Sequence, residues 1–444
     1  MKLRDIEKFV FFATLAGLFI PLSVNIRVIN LYVWNIPAIA LMIVVFLQSL
    51  YTGFWKVQKW DLWDYSLIGL MFVLIIFSMI GANFMNNLPF LTQYITILFM
   101  AFYARRAWGR VITPKVLVSF ALISVFIQSV IGIIQQLTFS QFGNPKAYFG
   151  RGQSTELRDS FGVEISRVQG TLGHPNLVGN WFITLFPFLI VSDFFDRNRI
   201  AWIMKRIAVL LGFIGLLFTL SRGNIAFFSL LCVLFILPWL RLISPKMWSS
   251  SQVLTRTVFV IVLTLSLLYL ITTNMEAINT YYSVLGDRIE QATSVRNSRG
   301  TADFRLEMNK GALQKVVDQK FILGNGFNNS RNIWSDVDTD IPVWWNYRPH
   351  NVYLALAVEG GIFAFIFYII ITCLPIYYLY RKVNSSEVLK YAFLFALCAG
   401  FLFGQIYLTH LSPEYGVLYS LILGSSMGYI DEISAMSNSL REIS

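Results

Sequence analysis

Long apolar runs separated by short polar segments organise this chain. The runs fall at 7–26, 31–52, 64–83, 89–105, 115–138 and 176–194, and again at 203–221, 223–243, 257–274, 350–380, 390–410 and 413–431. A hydrocarbon core about 30 Å thick takes roughly 20 apolar residues per helix, so the pattern predicts about twelve transmembrane helices. The seventh and eighth meet at Ser221-Arg222-Gly223 with almost no loop between them. The tenth run is longer than one crossing needs, and Pro375 is its expected kink. The first run follows Lys2, Arg4 and Lys8 but leads into no small-residue cleavage site, so it reads as an uncleaved first helix.

Two segments interrupt this rhythm and divide the chain. Residues 1–274 hold helices one to nine, with a smaller polar loop at 139–175; residues 275–349 form a large loop; residues 350–444 hold the last three helices and a tail. A 75-residue connection exceeds what joining two helices requires, so it is expected to carry structure of its own (275–349). Within it, 301–319 places Leu306, Leu313, Val316 and Val317 on one helical face, and Gly324-Asn325-Gly326 marks a turn. Trp334, Trp344, Trp345 and Tyr347 suit either a membrane-water interface or a sugar-stacking surface.

Composition agrees with the pattern. Hydrophobic residues make up 56% of the 444 and charged ones 13%, with a mean hydropathy of +0.62. Soluble proteins carry about 25% charge, so too little polar surface is present to face water all round. The same numbers exclude a disordered chain. Cys232, Cys373 and Cys398 all fall in apolar runs and read as packing residues.

Charge then sets orientation. Basic residues gather after even-numbered spans: Lys56 and Lys59; Arg105, Arg106, Arg110 and Lys115; Arg197, Arg199, Lys205 and Arg206; Arg241, Lys246 and Arg256; Arg381, Lys382 and Lys390. The short hairpins 84–88 and 411–412 on the other side have none. By the positive-inside rule both termini are cytoplasmic, and both polar loops lie outside. The net charge of +11 reflects these anchors rather than a nucleic-acid surface.

Chemistry-bearing residues collect on the outer side. His174, His350 and His410 all stand at outer helix ends. His350, in Arg348-Pro349-His350-Asn351, reads either as a polar interface residue or as a base able to take a hydroxyl proton near neutral pH. No HExxH or clustered Cys/His spacing supports a metal. Arg222, flanked by apolar helices, needs an anion or a water-filled cavity unless it snorkels to headgroups. Arg167, Arg288 and Arg305 add guanidinium forks suited to diphosphate oxygens, or solvated loop charges. Glu359 lies nine residues beyond His350, about 13 Å along a continuous helix and on the opposite face. Arg222 is its expected partner, in a structural pair or beside substrate.

Three blocks of residues bear a family likeness. Arg167-Val-Gln-Gly-Thr-Leu-Gly-His-Pro-Asn176 is similar to an R-x-x-G-x-x-x-x-P-N stretch before a span. Thr219-Leu-Ser-Arg-Gly223 is similar to T-x-S-R-G. Arg305, Gly324-Asn-Gly326, Pro349-His-Asn351 and Glu359-Gly360 follow in the order of a large loop and its succeeding helix. Together they resemble the O-antigen ligase and polymerase superfamily of bacterial envelope glycan transferases. One departure is Met308, where that family often has Trp after the loop arginine.

The resemblance implies a cytoplasmic-membrane enzyme, multi-pass, with an extracytoplasmic site and no cofactor or metal. It would move a glycan from undecaprenyl diphosphate to an acceptor hydroxyl on a glycan or lipid, with inversion. His350 would be the general base. Arg222 with Arg305 or Arg288 would hold the diphosphate, and Arg167, His174, Asn176, Asn351 and Glu359 would complete the substrate site. Ligase is the favoured branch, with polymerase and protein glycosyltransferase as siblings. The rival from another class is a lipid-linked oligosaccharide flippase. Transporters of this size commonly consist of two related halves with substrate groups at midplane. Here the unusual polar residues lie at the outer face and the large loop occurs once.

Overall fold

The structure is a computed structural model. It describes residues 3–20, 23–26, 29–52, 60–80, 84–138, 140, 142–143, 156–158, 164–191, 199–219, 221, 224–225, 228, 301–318, 324–327, 348–383, 387–406 and 411–443. The predicted spans 223–243 (save for a few of its residues) and 257–274, the four loop aromatics, Arg222, Arg288 and His410 lie outside them.

The helices are α1 (Leu3–Gly17), α2 (Asn35–Thr52), α3 (Leu62–Ile80), α4 (Phe84–Ala107), α5 (Pro114–Thr138), α6 (Pro175–Val191) and α7 (Arg199–Phe218), then α8 (Thr301–Asp318), α9 (Val352–Lys382), α10 (Val388–Ile406) and α11 (Pro413–Ile443). Among the described residues, five helical stretches are long and apolar enough to cross a membrane: α3, Asn87–Ala107 of α4, α5, α7 and α9. Shorter apolar stretches lie at Asn35–Tyr51, Pro175–Ile190 and Leu389–Gly404. The molecule is a helical integral membrane protein.

It is not purely helical. The first run was expected to stay helical to residue 26, yet α1 ends at Gly17. Residues 23–26 instead pair with 29–32 in an antiparallel hairpin, Asn25 opposite Asn30. The reason lies in the local pattern: Ser23-Val24-Asn25-Ile26 alternates apolar and polar with period two, a strand signature. A second small hairpin pairs 156–158 with 164–166 inside the smaller polar loop.

The tenth span also differs from expectation. It breaks at Gly361, whose φ of 68° belongs to the left-handed region, rather than at Pro375. A side chain there would crowd its own carbonyl, so glycine permits the break. The span therefore has a short first part, 352–360, started by Asn351, whose Oδ1 accepts from Tyr353 N at 2.9 Å and Leu354 N at 3.1 Å.

One end of the bundle is an ion-pair layer. Arg105 binds Asp61 (2.8 Å), Asp64 (3.0 Å) and Asp431 (2.9 Å), while Arg106 also reaches Asp64 at 2.8 Å. Beside them the buried Glu7 pairs with Arg110 and accepts from Gln48 and Tyr103. Buried charges persist only when paired in this way. These residues sit at the start of α1 and α3, the end of α2 and α4, and far along α11, an alternation in keeping with consecutive crossings. Burial would raise the Asp61 carboxyl, but Arg105 and the amides of Asp64 and Trp63 outweigh it and hold the group below its usual range. At the opposite end lie the starts of α4, α6, α9 and α11 and the ends of α3, α5, α7 and α10. The sequence-marked residues are there.

Candidate functional site

The first group is built around an irregular stretch, 167–174, that enters α6. Val168, Gln169, Gly170, Thr171 and Leu172 are buried, so their backbone groups need partners inside the protein. Two glutamines of α5 supply them. Gln135 Oε1 accepts from Gln169 N and Gly170 N, each at 3.0 Å, and its Nε2 donates to Gly170 O at 2.9 Å. Gln128 Oε1 accepts from Thr171 N at 3.0 Å, and its Nε2 donates to Thr171 Oγ1 at 2.6 Å. Sequence reasoning passed over both. Their signal was two amides seven residues apart, on one helix face within an apolar span, where polar groups are costly unless used.

On this platform the first two motifs meet. Arg167 Nε donates to Thr219 O at 2.9 Å, and its Nη2 donates to Asn176 Oδ1 at 3.2 Å. Val168 N donates to Phe218 O, and Asn224 Nδ2 to Asn176 O at 3.1 Å. Thr219 and Ser221, just before Arg222 in the chain, are buried. His174 closes the start of α6: its carbonyl accepts from Leu177 N and Val178 N, and its Nδ1 accepts from Asn176 N at 3.2 Å. That bond directs the proton of a neutral imidazole to Nε2.

The second group converges on the first part of α9, which begins immediately after His350 and Asn351. Helix α8, which carries Arg305, packs on its flank, with Met308 and Ala312 buried against Val358 and, partly, Leu354. Met308 is 1% exposed, so the position where the family often has Trp holds an apolar anchor here too. Of the face expected of this helix, Val316 packs against that cluster, whereas Leu313 is 53% and Val317 66% exposed, because the neighbour sits on the side of Met308 and Ala312.

At the other end of this short helix the predicted turn inserts. Asn325 N and Gly326 N donate to the carbonyls of Val358 and Glu359 at 3.0 and 2.9 Å, groups that the break leaves without helical partners. A Cβ on Gly324 would lie 2.2 Å from the Glu359 carbonyl oxygen, so only glycine fits. Phe327 N then donates to Ser78 Oγ at 3.0 Å, and the Phe327 ring stacks on Tyr94 with centroids 5.0 Å apart.

Arg222, the expected partner of Glu359, lies outside the described residues, and the described partner is Arg348. Its carboxylate, fully buried, accepts a two-pronged ion pair from Arg348, Nε to Oε1 at 2.7 Å and Nη2 to Oε2 at 2.8 Å. The two are eleven residues apart, and the turn before α9 folds back along the helix to bring them together. The Arg348 guanidinium lies 4.6 Å over the Phe327 ring. Thus Arg167, His174 and Asn176 form one constellation on α5, α6 and α7, while His350, Asn351 and Glu359 form another on α3, α8 and α9. Helix α10 packs against both α6 and α9 and joins them.

Residues 207–369 match the O-antigen ligase family model. Over that stretch the chain is similar to the O-antigen ligase family. The matched stretch opens in α7 and closes in α9, so it takes in the second motif, α8, the inserted turn, Arg348, His350 and Glu359. Arg167 to Asn176 precede it. No curated protein matches the chain. A likeness to that family points to a glycosyltransferase-like enzyme acting on a lipid-linked glycan and an acceptor.

Proposed function

We propose that this protein is a member of the O-antigen ligase superfamily and that it transfers a glycan from undecaprenyl diphosphate to an acceptor hydroxyl at the outer face of the cytoplasmic membrane, without a metal. What supports this most is that described residues of all three motif blocks lie at the bundle end opposite the ion-pair layer. In the reaction the acceptor oxygen attacks the anomeric carbon, the bond to the diphosphate breaks, and configuration inverts. His350 takes the acceptor proton. Arg222 and Arg305 stabilise the charge that grows on the departing diphosphate. The α6 N-terminus adds a favourable field for an anion on the same side. Arg167 serves by holding Thr219 and Asn176 beneath that site. Undecaprenyl diphosphate is the second product.

The ligase branch is distinguished from the polymerase by the acceptor. Purified protein in EDTA would be given a synthetic undecaprenyl-diphosphate-linked donor, with either a non-lipid-diphosphate acceptor or a second donor molecule. Transfer to the former identifies a ligase; transfer only between donors identifies a polymerase. Loss of transfer in both His350→Ala and Arg222→Ala is expected. A wild-type protein that moves the donor across liposome bilayers, with no transfer to any acceptor, would instead make it a flippase.

A further inference from the structure

The Arg348–Glu359 pair is not needed to hold α9 in the membrane, since apolar contacts with α3 and α10 line its length. Its position explains it better. Arg348 is joined to His350 through Pro349 alone, and proline restricts both its own φ and the residue before it. The two prongs of the guanidinium fix Arg348 against Glu359, at the last turn before the Gly361 break. The same carboxylate-bearing residue offers its carbonyl to Gly326 N, and Phe327 covers the guanidinium. Asn351, on the other side of His350, is fixed by capping α9. His350 is therefore held between two anchored neighbours, one of which is tied to the outer-loop turn.

We propose that Arg348 and Glu359 are a positioning pair, which sets the height and direction of the His350 imidazole and couples them to insertion of the 324–327 turn. This rests on the reading of His350 as the base. A misplacement of about 1 Å costs on the order of 100-fold in rate, so a positioning role predicts a loss in kcat rather than a rise in KM.

The test compares kcat and KM for the lipid-diphosphate donor in Arg348→Gln, Glu359→Gln, the double Gln variant, Arg348→Lys and His350→Ala, per mole of folded, monodisperse protein. Each single Gln variant should lose roughly 10- to 100-fold in kcat with KM changed less than about threefold. The double variant should be no slower than the worse single one, because both remove the same link. Arg348→Lys, which keeps the charge but not the fork, should recover part of the loss. Where a single variant leaves a buried charge and fails to fold, the Arg348→Met/Glu359→Leu double, which leaves none, provides the folded protein and should show the same kcat loss. Wild-type kcat in the folded variants, with His350→Ala inactive, overturns the pairing and leaves the base in place. A rise in KM at unchanged kcat overturns it also, since the pair would then bind substrate. Wild-type activity in His350→Ala would remove the base reading itself, and with it the inference.

Discussion

At the residue scale, the pattern of partners matters more than the presence of charge. Arg167 links the first two motifs through one backbone carbonyl and one side-chain amide. Hydrogen bonds from a charged donor contribute about 1.5–3 kcal/mol each, so Arg167→Ala should lower the thermal midpoint in detergent and depress transfer together. Gln135→Leu should be worse for stability, by about 3 kcal/mol, because it leaves buried amides at 169 and 170 without acceptors. Thermal unfolding followed by tryptophan fluorescence checks both; a Gln135→Leu protein as stable as wild type would contradict the platform. The candidate residues themselves were legible from motif order and from their cost inside apolar helices. The pairing of Arg348 with Glu359 was not. Arg348 lies outside the helix, and helical spacing counts only neighbours along one axis. A turn that folds back creates a contact eleven residues apart that no periodicity announces.

At the element scale, the first part of α9 is the organising piece. It is only nine residues long (352–360), yet it receives α8 on its flank, the 324–327 turn at its end and the His350 turn at its start. The sequence pointed to Pro375 for the kink. Proline removes one amide donor, which a long membrane helix tolerates; a glycine at φ 68° ends the helix outright. Only part of the expected apolar face of α8 packs, Val316 among it, for a related reason. Leu313 and Val317 are more hydrophobic than Ala312, but the approach of a neighbour selects small residues, and only the packed structure says where the neighbour comes. Gly324→Ala places a methyl group against the Glu359 carbonyl oxygen and should expel the turn. Limited proteolysis should then cut the 275–349 loop faster while the membrane helices survive, and transfer should fall. Unchanged cleavage with unchanged activity would show that the turn is dispensable.

At the scale of the whole molecule, the chain separates structural charge from chemical charge. Arg105, Arg106 and Arg110 were read as headgroup anchors; their position at one end holds, but each is engaged by a carboxylate within the bundle. Removing one member of such a pair typically costs about 3–5 kcal/mol, so Arg105→Ala should destabilise more than any loop arginine variant. Because Asp61 is held below the usual carboxylate range, its contribution is complete above its ordinary pKa of 3.8 and is lost as pH falls through the lower folded value. Asp61→Asn should flatten the acid side of the stability profile, and a wild-type-like acid transition in that variant would contradict the assignment. The helical class and the membrane location could be read from hydropathy and charge. The two β-hairpins could not, being short alternating stretches hidden inside or between longer apolar runs. The most direct measurement for the central claim is the anomeric configuration of the product, read by NMR after transfer from a donor of known configuration in EDTA. Inversion, with one undecaprenyl diphosphate released per linkage formed, is the result expected of a single displacement assisted by His350. Retention, or transfer that appears only when a divalent metal is restored, would contradict it.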